Sequence, residues 1–233
     1  MKMNSLTVLL ALLCVVPAGT QTANPSQKSH PDSASWANLF KDDLSDAIFP
    51  AGIWTLTGGE LTAGEDQCIW TKGQYENFIL DLEFRMGEAA NSGVIVYCSD
   101  LKNWIPNSVE IQILDDYDEK WKDVQATWKC GGLFGHLAPA RQPVKKAGEW
   151  NRMTVTCRGP LIEVMLNGEV VVQTDIKKWT SAKTNPDGSE IPAWLSRPMA
   201  ELQTKGHIGL QGKHGGAPIF FRHLKIKGLP RPS

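Results

Sequence analysis

The sequence has no surplus of charge of either sign: 24 Lys and Arg stand against 25 Asp and Glu in 233 residues, for a formal net charge of −1. A protein that grips nucleic acid by its phosphates needs a basic surplus, so that class is excluded as a main role. The apolar stretch Leu6 to Val16 is eleven residues long, about half of what a membrane-spanning helix needs, so no membrane span is expected. There is no CxxC motif and no Cys and His pair at zinc spacing, which argues against a zinc site built on cysteine. An amphipathic helical stripe is also lacking, as is an internal repeat. Helix bundles and solenoids are therefore not expected.

What is present begins with Lys2, the apolar stretch, and the small residues around Val16-Pro17-Ala18. Together they read as an export signal over residues 1–18. Residues 19–35 are polar, with Pro25 and Pro31, and are expected to be a disordered lead-in. Residues 36–230 are expected to form one domain. Export places that domain in an oxidising space, periplasmic or secreted. Four cysteines remain there, Cys68, Cys98, Cys130 and Cys157. They allow three pairings, among which the sequence does not choose. The plainer alternative is that some are simply small buried residues.

The body reads as β structure. In Phe78 to Met86, Phe78, Leu80, Leu82, Phe84 and Met86 fall on one face, and Ile79, Asp81, Glu83 and Arg85 on the other. Asn91-Ser92-Gly93 reads as a turn before a strand at Val94 to Cys98. Further strands are expected at Trp150 to Cys157, Leu161 to Leu166, Glu169 to Thr174, Ile208 to Gln211 and Ile219 to Ile226, with Asn167-Gly168 as a hairpin signal. Strict alternation in the last of these puts Arg222 on the core side with Phe220, Leu224 and Ile226. A bulge after Phe221 would be needed to turn it outward. The pattern predicts an all-β fold, a two-sheet antiparallel β-sandwich with under about a tenth helix. The irregular stretch from Lys177 to Lys205, containing Pro186, Pro192 and Pro198, is long enough to be functional or disordered.

The most informative strand follows Ser108. Val109, Ile111 and Ile113 alternate with Glu110, Gln112 and Leu114, and Asp115 and Asp116 come next. That is the period of a half-buried strand, apolar on one face and carrying an acid and an amide about 7 Å apart on the other. Such a face suits the floor of a carbohydrate-binding groove.

These residues and others, in order, resemble a known family. The motifs are Trp70-Thr71-Lys72, Tyr75-Glu76-Asn77-Phe78, Leu82-Glu83-Phe84-Arg85, Asn91-Ser92-Gly93-Val94 and Glu110-Ile111-Gln112-Ile113-Leu114-Asp115. In the second half they are Gly148-Glu149-Trp150-Asn151, Leu166-Asn167-Gly168, Gly206-His207-Ile208-Gly209-Leu210-Gln211 and Phe221-Arg222-His223-Leu224-Lys225-Ile226. Over about Leu39 to Leu229 the chain looks like the 3-keto-disaccharide hydrolase domain family, itself similar to concanavalin A-like jelly rolls with a sugar-binding concave sheet. The chain departs from the family pattern at His223, where Asn is usual, and at Lys213 before His214.

The resemblance implies action on glycosides oxidised to a ketone at carbon 3, and an upstream sugar 3-dehydrogenase to make them. The ketone acidifies the hydrogen on carbon 2. A base removes it, the enolate expels the group on carbon 1, and water then adds to the enone. Such a site needs a base, a group that stabilises the enolate oxygen and an acid for the leaving oxygen. A divalent metal ion could fill the second role, although no cofactor is certain. Glu110 is the expected general base or ion ligand, with His136 and His214 as the other catalytic candidates. Gln112, Glu83, Arg85, Arg222 and Trp104 are the expected substrate-binding residues, with Trp128, Tyr117 and Trp121 as further aromatic platforms. His207 and His223 are expected to be structural. Two other readings stand beside this one. A retaining β-glucanase presents two carboxylates from one strand about 5 Å apart, and Glu110-x-Gln112-x-x-Asp115 partly echoes that pattern. A non-catalytic carbohydrate-binding module would bind without turnover.

Overall fold

A computed structural model describes residues 29–230, so the expected export signal lies outside the described residues. Thirteen strands follow in order: β1 (Ala37–Asn38), β2 (Ala47–Ile48), β3 (Trp54–Thr57), β4 (Glu60–Ala63), β5 (Ile69–Thr71), β6 (Phe78–Met86), β7 (Asn91–Cys98), β8 (Val109–Leu114), β9 (Trp150–Arg158), β10 (Leu161–Leu166), β11 (Glu169–Asp175), β12 (His207–Leu210) and β13 (Ile219–Gly228). Among the described residues the helices are all three-residue 3-10 turns, and none is long and apolar enough to cross a membrane. The two-sheet antiparallel sandwich expected from the alternation is what forms. The larger sheet has eight strands in the order β11-β10-β9-β6-β13-β4-β3, with β1 added beside β13. The smaller has five, ordered β2-β5-β12-β7-β8.

Alternation decides what each sheet buries. Phe78, Leu80, Leu82, Phe84 and Met86 of β6 meet Val94 and Val96 of β7 and Val109, Ile111 and Ile113 of β8 in one continuous core. The outer face of the smaller sheet carries a separate apolar cluster of Trp70, Ile95 and Cys98, with Trp104 packed on it. These side chains are buried beneath the loop after β7, which lays Leu101 and Trp104 on them.

Several local expectations are tested here. Asn91 to Gly93 is the start of β7 and not a turn; the chain turns earlier, at Gly87 to Ala90, where Ala89 takes a positive φ of 56°. In β13, Phe221 rather than Phe220 faces the core. The expected irregularity is there: the register shifts between Arg222 and Lys225, with His223 at φ 51°, and this breaks the alternation with Ile226 so that Arg222 points outward. The lead-in is docked rather than loose from His30 onward. Gly168 N–H donates to His30 Nε2 at 2.8 Å, and Arg152 donates to Pro31 O at 2.7 Å and to both oxygens of buried Asp81. Of the alternatives left open for the cysteines, the structure has the plainer one: all four are free thiols, three of them buried.

Candidate functional site

The site is built on the outer face of the smaller sheet. In β8, alternation sends Val109, Ile111 and Ile113 into the core and leaves Glu110 and Gln112 facing out. Gln112 stands opposite Gly93, and Glu110 opposite Ile95. Gly93 has no side chain for a steric reason: a Cβ there would lie 2.1 Å from Glu110 Oε1. The Glu110 side chain thus lies across a bare stretch of β7. Gly209 does the same for Trp70, whose ring would be 2.4 Å from an added Cβ. Gln112 Nε2 donates to Asn91 Oδ1 at 3.2 Å, which fixes the amide on the floor.

Three loops raise the walls of a cavity of about 310 Å³. The loop after β7 brings Trp104 and Ile105. The loop after β8 brings Trp128 and Phe134, whose rings are 5.1 Å apart. Its Gly131 to Phe134 stretch hydrogen-bonds along the free edge of β8, with Phe134 N–H donating to Glu110 O at 2.9 Å and Gln112 N–H to Gly132 O at 2.9 Å. The edge is thereby covered, and the strand that holds Glu110 is fixed on both sides. The long segment between β11 and β12 brings Trp194, edge-on to Trp128 at 6.1 Å and 53% exposed. Cross-ties hold the loops together: Asn185 Nδ2 donates to Gly135 O, and Arg197 donates to Asn107 Oδ1 at 2.9 Å. The segment expected to be functional or disordered is therefore ordered, and it forms one wall.

Glu110 lies at the floor among these rings. Among the described residues no N–H or O–H group donates to its carboxyl. Burial pushes the group up to about 8, and the nearby charge of Asp66 adds to the rise. A carboxyl that holds its proton to near neutrality is a candidate acid or base. At the rim, His214 Nδ1 lies 2.6 Å from Asp66 Oδ2. A carboxylate can only accept, so Nδ1 carries the proton in the neutral ring and Nε2 is left as the acceptor. Gln211 lines the cavity beside His214.

The structure thus brings Glu110, Gln112, His214, Trp104 and Trp128 to one place. It does not bring the rest. Glu83, Arg85 and Arg222 sit on β6 and β13 in the larger sheet, so their expected place in the same groove is corrected. There Arg222 Nε donates to Glu83 Oε2 at 2.5 Å, and its guanidinium lies 3.9 Å from the Trp150 ring; Arg85 pairs with Glu60 at 3.0 Å. Both arginines are held in a layer of ion pairs and ring contacts. His136 also does not line the cavity. Its Nδ1 bonds to Phe134 O at 2.9 Å, its Nε2 is buried without a partner, and burial holds its pKa below the usual histidine value. Tyr117 and Trp121 are outside the cavity too, the first bonded to Val144 O and the second to Ala89 O. His207 Nδ1 bonds to Thr71 O at 2.7 Å within the sheet. Asp115 is buried and takes backbone N–H groups from Ala89 and Tyr117. Asp66 and Trp194 were not singled out by the sequence.

Among the described residues no three His, Cys, Asp or Glu side chains stand close enough to hold a metal ion.

Comparison with known proteins identifies the family and the fold. The family model described as a 3-keto-alpha-glucoside-1,2-lyase-like domain matches residues 27–227. A 3-keto-disaccharide hydrolase of Bacteroides thetaiotaomicron is 22% identical over an alignment of 191 residues that covers 74% of this chain and 65% of that relative. The chain therefore spans less than two thirds of that protein's length. A Parabacteroides distasonis protein, described from its crystal structure as a candidate glycosyl hydrolase, superposes with a TM-score of 0.81 at 53% identity, covering 83% of this chain and 99% of its own. A Bacillus subtilis protein of unknown function with a galectin-like fold shares the fold at a TM-score of 0.51 and 12% identity, over 83% of this chain and 94% of its own.

Proposed function

The chain belongs to the 3-keto-alpha-glucoside-1,2-lyase-like domain family, and from that premise we propose that it cleaves 3-keto-glycosides by β-elimination followed by hydration. Carbon 2 of the sugar loses its proton, the bond from carbon 1 to the aglycone oxygen breaks, and water later adds to carbon 1 of the enone. Glu110 and His214 are the two groups that move protons. Asn91, Gln112 and Gln211 bind sugar hydroxyls, and the Trp104, Trp128 and Trp194 rings hold the sugar faces and exclude water.

One observation carries this reading. The floor strand presents a single carboxyl to the cavity, Glu110, while Asp115 is spent on the backbone N–H groups of a turn. A retaining glucanase needs a matched carboxylate pair across the bond it cuts, and β8 does not supply one. A proton-transfer carboxyl sharing a cavity with an imidazole suits an elimination, in which one group takes the carbon-2 proton and the other serves the leaving oxygen.

The test uses one aryl glucoside in two forms, unoxidised and oxidised at carbon 3. The protein should release the aryl alcohol from the keto form only and exchange the carbon-2 hydrogen with deuterated solvent. Equal release from the unoxidised form would replace this reading with the glucanase one, and binding without release would leave a sugar-binding module. Because the substrate carries a ketone where sugars carry a hydroxyl, a sugar 3-dehydrogenase must act before this protein. The proposed place of action is the periplasm or the exterior. N-terminal mass spectrometry of secreted material checks it, with a new terminus expected between about residues 19 and 24.

A further inference from the structure

Asp66 sits in the short loop between β4 and β5, away from every motif that pointed to the site. Two contacts clamp that loop. Trp54 Nε1 donates to Gln67 O at 2.9 Å, and Lys213 N–H donates to Glu65 O at 3.3 Å. Gly212 lies so close beneath it that an added Cβ would be 2.3 Å from Glu65 O and 2.8 Å from Gln67 O. The backbone carrying Asp66 and the backbone carrying His214 are therefore pressed together. This backbone proximity brings the two half-exposed side chains within 2.6 Å of each other. With Nδ1 turned to the carboxylate, Nε2 is the nitrogen left to act in the cavity that His214 shares with Glu110.

We propose that Asp66 is the positioning residue that makes His214 the base and leaves Glu110 as the acid of the elimination. This rests on the reaction proposed above and reverses the expectation that Glu110 is the base. His214 Nε2 takes the proton from carbon 2. The electron pair moves to the carbon-3 carbonyl and then expels the aglycone, whose oxygen takes the proton from the Glu110 carboxyl. The enone then accepts water at carbon 1. Glu110, now a carboxylate, takes that water's proton, and the His214 imidazolium returns its own to carbon 2. The cycle is balanced, needs no oxidant or reductant, and restores both groups. Asp66 holds the imidazole in the reactive tautomer and stabilises the imidazolium, and its charge also helps Glu110 keep its proton.

The experiment separates carbon-2 exchange from aryl alcohol release, using the full chain and the 3-keto aryl glucoside. Glu110→Gln should still exchange but lose release by about 10² to 10⁴-fold. His214→Gln should lose both. Asp66→Ala should lose exchange by about 10²-fold or more with KM changed little, and Asp66→Glu should recover part of it. Without substrate, ¹⁵N NMR should find the His214 ring protonated at Nδ1 in the unaltered protein and at Nε2 in Asp66→Ala. The high-pH limb of release should also move to lower pH in that variant, because Glu110 loses a neighbouring charge. Asp66→Asn, which preserves the shape of the loop, should shift exchange and the high-pH limb in the same direction if the alanine variant folds poorly. An unchanged tautomer and unchanged exchange in the Asp66 variants would overturn the proposal, as would exchange that depends on Glu110 and survives loss of His214. A protein that neither exchanges nor releases would overturn the elimination itself, and the division of labour with it.

Discussion

Replacing Glu110 by Gln should make the protein more stable at alkaline pH while cutting its release of the aglycone. The Glu110 carboxyl is raised from 4.5 to about 8 by burial first and the charge of Asp66 second. The folded state therefore binds this proton more tightly than the unfolded chain does. Its contribution to stability is complete below pH 4.5, falls as the pH rises toward about 8, and levels off above. A shift of that size corresponds to roughly 5 kcal/mol at about 1.4 kcal/mol per pH unit. Glu110 is only partly covered, and water reaching the cavity screens its charge, so about half, or ~2 kcal/mol, is the reasonable expectation. Gln has nearly the same shape and no charge to desolvate. Moving from pH 5 to pH 9, the variant should gain ~2 kcal/mol on the unaltered protein. That is about 4 to 8 °C in melting temperature for a domain of this size. Paired thermal melts at the two pH values measure it directly. The same gap at both pH values would mean that Glu110 is well solvated and ionised in the fold, and the case for it as a proton carrier would fail. A site that keeps a destabilising carboxyl is a common mark of function.

Gly93→Ala should displace Glu110, since its Cβ would lie 2.1 Å from Oε1 and 2.7 Å from Cγ. Turnover should fall about 10²-fold, and in an Glu110→Ala background the same change should cost under about 0.5 kcal/mol, a coupling that a double-mutant cycle of chemical denaturation reads out. Trp194→Ala removes a ring that is 53% exposed, so stability should change by under about 0.5 kcal/mol while KM rises about tenfold in steady-state kinetics. Arg152→Met strips the partner from Asp81, whose side chain is only 3% exposed. It should cost about 3 kcal/mol in urea denaturation and free the segment around His30 to fast hydrogen exchange. Restoring neutrality with Asp81→Asn should recover part of that loss.

The long strands were legible because each has one face in the core. Phe78 to Met86 and Leu161 to Leu166 show the two-residue period over their full length, and their bounds match the structure. Three of the first five strands were not legible, for two reasons. Ala37–Asn38 and Ala47–Ile48 are too short to show a period. Ile69–Thr71 is buried on both faces, with Ile69 in the core and Trp70 under the cavity walls, so it does not alternate at all. Asn91-Ser92-Gly93 has the composition of a turn, yet Gly93 is there because Glu110 lies across it. Composition could not separate a glycine that bends the chain from one that makes room.

The site divides in the same way. Glu110 and Gln112 could be found because a polar pair on one face of an otherwise apolar strand is a local signal. Alternation also says that Glu83 and Arg85 face away from the core, and that is correct. It does not say which sheet their strand joins. In a two-sheet sandwich every strand has an outward face, and only pairing between distant segments sorts those faces into one side or the other. β6 pairs with β9 and β13, β8 with β7, and the polar rows of β6 and β8 end up on opposite outer surfaces. The His214 contact with Asp66 spans 148 residues, and Trp194 reaches the cavity from a segment without a period. No window along the sequence contains both halves of either arrangement. The chemistry that makes this fold a candidate enzyme therefore lies mostly in the contacts that local pattern does not encode.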